Sequence, residues 1–279
     1  MSLLAVAIGA FAAVANAQAP TWKFDKDQPP LGYQVRLQHE EGKADVILLE
    51  IALRAALKAV SAEGDATFEL GWTSVKVTRT LGGKKHIYDS AKPGTAPPPA
   101  VMGFAEVAGK TATVTVSDTG AVKSVEGALP GVPRPGDFLA EGADRNRMIA
   151  DALLGEIVVK LFRLPGTTCA SYGVICPLGN AVAGCHLSEQ TKVTQEAPAK
   201  MPGGGYVNRV WTTTLESDGG SIGAGGVTLK LKGGQAGKGK GTGIYGPGCL
   251  VSLDESVAYD MPTASGAAKF KRALKITRS

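Results

Sequence analysis

Apolar and polar residues alternate along most of this chain, the period-2 pattern that turns one set of side chains toward a core and the other toward water. In TATVTVSDTGAVKSVEG, Ala112, Val114 and Val116 share a face, Asp118-Thr119-Gly120 supplies a turn, and Val122 and Val125 return, which predicts a hairpin. VTLKLKGGQAGKGKGTGIYG predicts another around Gly233-Gly234. DATFELGWTSVKVTRT, YVNRVWTTTLES, CLVSLDESVAYDMP and AAKFKRALKITR read as further strands. One stretch departs from alternation: between Asp144 and Phe162, apolar residues recur at Met148, Ile149, Ala152, Leu153, Ile157, Val158, Leu161 and Phe162, which is helical spacing. Asp144 can cap its start, and Leu164-Pro165-Gly166 stops it. Strands that follow one another without intervening helices pair antiparallel. The expected fold is therefore mainly β, of α+β type: a large curved antiparallel sheet, for which a half-barrel is the candidate form, with one main helix at 144–162.

Residues 44–60 point two ways. Glu50, Arg54 and Lys58 fall four apart in a run rich in Ala and Leu, which favours a helix. The run nevertheless passes through Glu63-Gly64-Asp65 straight into a clear strand, the form of a hairpin.

At the N-terminus, the apolar run Leu3–Val14 is too short for a span of ~20 helical residues and leads to Ala15-Asn16-Ala17, a small-x-small cleavage site. No Lys or Arg precedes it, so only the terminal amine supplies positive charge. The reading is a cleaved export signal at 1–17, with a secreted or periplasmic mature chain forming a single β-rich domain over 18–279. That domain contains a Pro-rich linker at 91–100 and a Cys-bearing loop at 166–188. No later stretch is long and apolar enough for a transmembrane span.

Composition sharpens this picture. Glycine makes up 37 of 279 residues, about 13% against a usual ~7%, with no collagen period, so many tight turns join the strands. Cys169, Cys176, Cys185 and Cys249 are an even set in an exported chain, and two disulfides are expected, with the pairing open. Gaps of six and eight residues do not suit a structural zinc site, and no metal or cofactor is expected.

The run KAVSAEGDATFELGWTSVKVTRT, then HIYDS, VAGKTATVTVSDTGAVKSVEG, a helix closing on LFRLPG and the late GIYGPGCLVSLDESVAYDM resemble a family of secreted, strand-rich bacterial proteins of planctomycete type, known only as a domain of unknown function. The resemblance spans roughly Leu31 to Arg278 and is best between Val60 and Gly166. It implies a hairpin for residues 44–80, and hence strand over 44–60. It brings no catalytic residues.

Motifs for chemistry are weak. GTGIYG matches G-x-G-x-x-G, but Pro247-Gly248 follows and no helix can start there to bind a pyrophosphate. GGQAGKGKGT lacks the Ser or Thr of a phosphate loop after its Lys. SDGGSIGAGG carries one Asp and reads as a hairpin loop rather than a calcium repeat. His86, Tyr88 and Ser90 share one face of a strand and form a weak polar-face candidate. Trp22, Trp72 and Trp211 read as packing residues.

Charge is distributed unevenly. Residues 1–200 hold 20 basic and 20 acidic side chains, and residues 201–279 hold 10 and 5, so the net +5 is C-terminal. Lys230, Lys232, Lys238 and Lys240 on one hairpin, with Lys269, Lys271, Arg272 and Lys275 on the last strand, form a candidate basic patch that would attract an anionic surface. Lysines without interleaved aromatics argue against nucleic acid. Taken together, the sequence favours a non-enzymatic binding or carrier module of the cell envelope, with a lipid or an anionic envelope polymer as partner. The alternative is a disulfide-stabilised structural or surface-interaction protein that self-assembles.

Overall fold

The computed structural model describes residues 21–279 apart from 43–44, 93, 95, 128–144, 167, 179–180, 218–219, 225–226, 232 and 264–265. The export signal at 1–17, Asp144 and Lys232 lie outside the described residues. The chain runs through β1 (Leu31–Glu41), β2 (Asp45–Val60), β3 (Ala66–Leu81) and β4 (Lys84–Asp89), then a 3₁₀ turn Pro99–Val101 and the short helix α1 (Met102–Ala105). There follow β5 (Thr111–Val116), β6 (Val122–Gly127) and the main helix α2 (Arg145–Phe162). The C-terminal half is all strand: β7 (Thr168–Leu178), β8 (Ala181–Pro198), β9 (Val207–Ser217), β10 (Gly220–Ala224), β11 (Val227–Leu231), β12 (Gly234–Gly246), β13 (Cys249–Thr263) and β14 (Gly266–Arg278).

One antiparallel sheet holds most of these strands in the order β6-β5-β3-β2-β1-β14-β13-β12-β9-β8-β7, with β4 also on β3. The sheet is open rather than closed into a barrel. Its first and last strands pair at the centre, Tyr33 opposite Arg278 and Glu41 opposite Phe270. Residues 45–60 are extended, because each apolar residue of β2 at an odd position from Ile47 to Leu53 is buried. A tertiary apolar face overrides the local helix propensity of Ala and Leu there.

Two expectations are corrected. Residues 168–178 and 181–188 are strand rather than loop: β7 and β8 pair from Thr168 opposite Gln190 to Leu178 opposite Ala181, and the Gly179-Asn180 dipeptide in the sequence is a hairpin signal. The lysine-bearing strands around Gly233-Gly234 do not pair with each other. Instead β11 pairs with β10, and β12 lies between β9 and β13. The Pro-rich stretch 91–100 ends in the buried 3₁₀ turn, whose Ala100 carbonyl accepts a hydrogen bond from Arg79.

Helix α2 lies on one face of the sheet, and none of its residues from 146 to 162 is exposed. Its apolar side, including Leu153, Leu154, Ile157 and Leu161, packs on Leu37, Leu49, Phe68 and Val77 from the first strands. Burial of this kind is worth about 1.5–3 kcal/mol per large side chain. Trp22 closes the far end. Its indole N–H donates to the Phe162 carbonyl at 2.5 Å, satisfying a helix-end acceptor that has no partner within the helix.

Strand β12 explains the glycine motif. Gly237, Gly239, Gly241 and Gly243 alternate with Lys238, Lys240, Thr242 and Ile244, so its inner face is bare. A Cβ on Gly241 would stand 2.4 Å from the Trp211 ring, and one on Gly239 2.4 Å from the Ser256 carbonyl oxygen. The missing side chains let Trp211 lie flat against the strand. Gly241→Ala should therefore lower unfolding stability by about 1–3 kcal/mol, whereas Gly71→Ala, where the nearest atom lies 3.8 Å away, should be near neutral. Urea unfolding of the two variants checks the contrast.

Candidate functional site

Beneath α2 the inner face of the sheet changes character from one side to the other. Under the C-terminal half of the helix it carries charge rather than apolar side chains. Lys160, itself 2% exposed, donates to Glu189 of β8 at 2.8 Å and to Glu255 of β13 at 2.5 Å. Arg163 also reaches Glu189, at 2.5 Å. The indole of Trp211 and the hydroxyl of Thr213 donate to Glu255 at 3.2 and 3.1 Å. Nearby, Arg272 of β14 pairs with Glu156 of the helix and donates to the Tyr259 hydroxyl at 3.2 Å. At the helix start, Arg79 forms a two-armed pair with Asp45, at 2.8 and 2.5 Å, and donates to Asn146 at 2.7 Å.

Burial and partners shift the titrations within this seam. Burial pushes the Glu189 carboxyl up, but Lys160 and Arg163 outweigh it and hold it down at about 2. Burial lowers the Lys160 ammonium, and Glu189 with Glu255 more than reverse that, so its value is raised. Burial wins at Glu156, whose carboxyl is raised despite Arg272 and Lys160. Among the described residues, the inner face beneath the helix is occupied by α2 and by this ion network; a void of about 10 Å³ beside Lys160, Trp211 and Tyr245 is too small for an acyl chain.

The larger concavity, about 610 Å³, opens on the opposite face, across β9, β12, β13, β14 and β1. Two register rows build it. One runs Thr214, Lys238, Ala258, Lys271, Glu40, and the next Thr212, Lys240, Ser256, Ala273, Gln38. The floor is made of small side chains, Ala258, Ser256 and Ala273, and the lysines stand around it. The backbones of Lys238 and Lys271 are separated by two strand spacings, about 10 Å, a gap that two lysine arms can close over one anionic group. Glu40 lies opposite Lys271 and accepts a hydrogen bond from Gln38 at 2.7 Å.

The predicted basic patch divides accordingly. Lys238, Lys240 and Lys271 come together at the concavity. Lys269 lies opposite Asp260 and Lys275 opposite Asp254, so cross-strand carboxylates balance both, as Glu40 does Lys271, whereas Lys238 and Lys240 have no carboxylate directly opposite. Arg272 is a correction: strand alternation turns it inward, where it is 4% exposed and paired with Glu156. The Lys230 side chain, like Lys232, lies outside the described residues.

The remaining candidates are accounted for differently. Cys249 is a free, buried thiol rather than a disulfide anchor. It sits where β13 begins opposite Gly246 of β12, and its Sγ accepts from Arg278 at 3.3 Å. Burial raises its titration. The side chains of Cys169, Cys176 and Cys185 lie outside the described ones. His86 and Tyr88 share a face as expected, opposite Arg79 and Val77. Ser90 turns its hydroxyl to the Val75 amide at 2.9 Å, a structural bond. None of the three borders the concavity. Among the described residues no group of three or more His, Cys, Asp or Glu side chains is placed to hold a metal, and no helix is long and apolar enough to cross a membrane.

No family model and no curated protein matches the chain. Among solved structures it is similar to one of lipovitellin described for its lipid–protein interactions, at a TM-score of 0.42 and 9% identity over 90% of this chain and 25% of that one. It therefore spans about a quarter of that protein's length. A second similar structure is MucB in complex with periplasmic MucA, at a TM-score of 0.09 and 10% identity over 88% of each chain. Neither likeness is close enough to carry a function across.

The ion network gives a signed pH prediction. A carboxyl held down in the folded state contributes stability above its ordinary value of 4.5 and loses it as pH falls toward 2. Stability against urea should fall from pH 5 downward, and Glu189→Gln should flatten that part of the slope. Glu156 acts in the opposite sense, its contribution being greatest below 4.5 and declining as pH rises through its raised value. Lys160→Met, which leaves Glu255 without its cation and Glu189 with Arg163 alone, should cost about 3–5 kcal/mol at pH 7.

Proposed function

We propose that the protein is an exported binding module of the cell envelope that carries an anionic amphiphile in the concavity of its outer face. The observation behind this reading is the meeting of Lys238, Lys240 and Lys271 around a floor of Ala258, Ser256 and Ala273. Lys238 and Lys240 have only Thr or small neutral residues opposite them on both neighbouring strands, so their charge is available to a ligand. The volume falls within the roughly 300–1,000 Å³ of small-molecule sites, which combine apolar walls with a few polar groups. The anionic group sits among the ammonium groups, and the tail lies on the small-residue floor and the lysine methylenes.

A second reading, a self-associating structural protein, is favoured by the terminal strand β7, whose eleven residues TCASYGVICPL include no charge. The other terminal strand, β6, is short and carries Lys123 and Glu126. Long uncharged edges pair with further copies. A single monomer mass by light scattering at rising protein concentration contradicts that reading.

Titration calorimetry with dodecanesulfonate below its micelle concentration, set against 1-dodecanol, tests the carrier reading. The sulfonate should bind and the alcohol bind much more weakly. Lys238→Glu with Lys240→Glu should reduce sulfonate affinity by roughly tenfold or more, as loss of about 1.4 kcal/mol predicts, with thermal unfolding unchanged. Equal binding of alcohol and sulfonate, or indifference to the double substitution, contradicts it.

A further inference from the structure

The strands that floor the concavity carry, on their inner face, a histidine with an unsatisfied ring nitrogen. His39 lies between Gln38 and Glu40 of β1, and its register partner on β14 is Arg272, between Lys271 and Ala273. Those four flanking residues line the concavity. Continuing the row inward, His39 faces Ile47 of β2, and Ile47 faces Arg79 of β3. The imidazole is therefore set in a row between two guanidinium groups, 7% exposed, stacked on Phe270 at 6.0 Å, with its Nδ1 among the buried polar atoms that have no hydrogen-bond partner among the described residues.

The charged and titratable groups around it are Arg272 of β14, held by Glu156 of α2 and by the Tyr259 hydroxyl of β13, and Arg79 of β3, held by Asp45 of β2. Glu41 lies two residues along on the same face of β1, opposite Phe270 and Asp45. Each arginine thus already has its own carboxylate, so a proton on His39 places a third buried cation in the row. Burial lowers its titration well below the ordinary 6.5, and Arg272 and Arg79 lower it further.

We propose that His39 is the acid sensor of the concavity: proton uptake by its imidazole separates β1 from β14 at the His39–Arg272 pair and releases the bound anionic amphiphile. The release rests on the carrier reading above, whereas the loosening of the strands does not. A neutral buried imidazole stabilises the packed form above its ordinary titration point. As pH falls below about 6.5 the loosened form, in which the ring is hydrated, takes up the proton and gains ground.

The test follows dodecanesulfonate, whose charge is constant across the range, binding to wild type and to His39→Gln at pH 7.5 and 5.0. Amide hydrogen exchange of ligand-free wild type is measured in β1 and β14 at both pH values and corrected for the intrinsic pH dependence of exchange. Wild-type affinity should fall by roughly tenfold or more, one proton's linkage over the 1.5 pH units from 6.5 to 5.0 setting a ceiling of about thirtyfold, while H39Q changes by less than about twofold, and exchange should accelerate in β1 and β14 at pH 5.0. An equal loss of affinity in both proteins overturns the sensor. If H39Q fails to fold, the wild-type exchange decides, and equal exchange at both pH values overturns the proposal. Absence of sulfonate binding at pH 7.5 overturns the carrier reading and the release with it, while accelerated exchange in β1 and β14 still supports His39 as the sensor of strand pairing.

Discussion

A single ammonium group, that of Lys160, stands where strands three places apart in the sheet meet a helix. Glu189 of β8 and Glu255 of β13 are separated by β9 and β12, yet both carboxylates touch the same nitrogen. That geometry requires the C-terminal half of the sheet to curl around the last turns of α2, and β7 and β13, four places apart, come into contact as it does so. Because an unpaired charge in this position is costly, the lysine and both carboxylates constrain one another. The other half of the sheet meets α2 mainly through Leu, Ile, Val and Phe, with Arg79 donating to Asn146 at the helix start.

The same curl decides which face is free. Among the described residues, α2 and the ion pairs fill the inner side beneath the helix, and the concavity of about 610 Å³ lies on the outer side of β9, β12, β13, β14 and β1. Glycines on the inner face of β12 leave space for the Trp211 ring beside Glu255, and the alternation that makes those positions glycine turns Lys238 and Lys240 outward. The two faces are joined through β1 and β14: His39 and Arg272 look inward while Gln38, Glu40, Lys271 and Ala273 look outward. An electrostatic change beneath the helix is therefore one peptide unit from the concavity.

The helix was legible from the spacing of Met148 through Phe162, and the β5–β6 hairpin from Asp118-Thr119-Gly120, because both signals are local. The strand over 44–60 was less so: Ala and Leu favour a helix there, and what decides it is an apolar face shared with β1 and β3. Which lysines act together was not legible, since β12 and β14 are separated by β13 and the balancing partners Asp254 and Asp260 come from that intervening strand. Arg272 carried a readable signal, standing in phase with Phe270, Leu274 and Ile276 on the apolar face of its strand, so an inward-facing arginine was there to be found. The Lys160 pairing had no such signal, as Glu189 and Glu255 lie far from it in sequence and sit in strands whose alternation marks them only as inward.

The proposed carrier function puts the ligand on the outer face, away from the helix. Crystals grown with 12-bromododecanesulfonate address it directly, since bromine marks the tail by anomalous scattering. A bromine peak beside Ala258 and Ala273, with the sulfonate among Lys238, Lys240 and Lys271, is the result this account predicts; a peak between α2 and the sheet would contradict it.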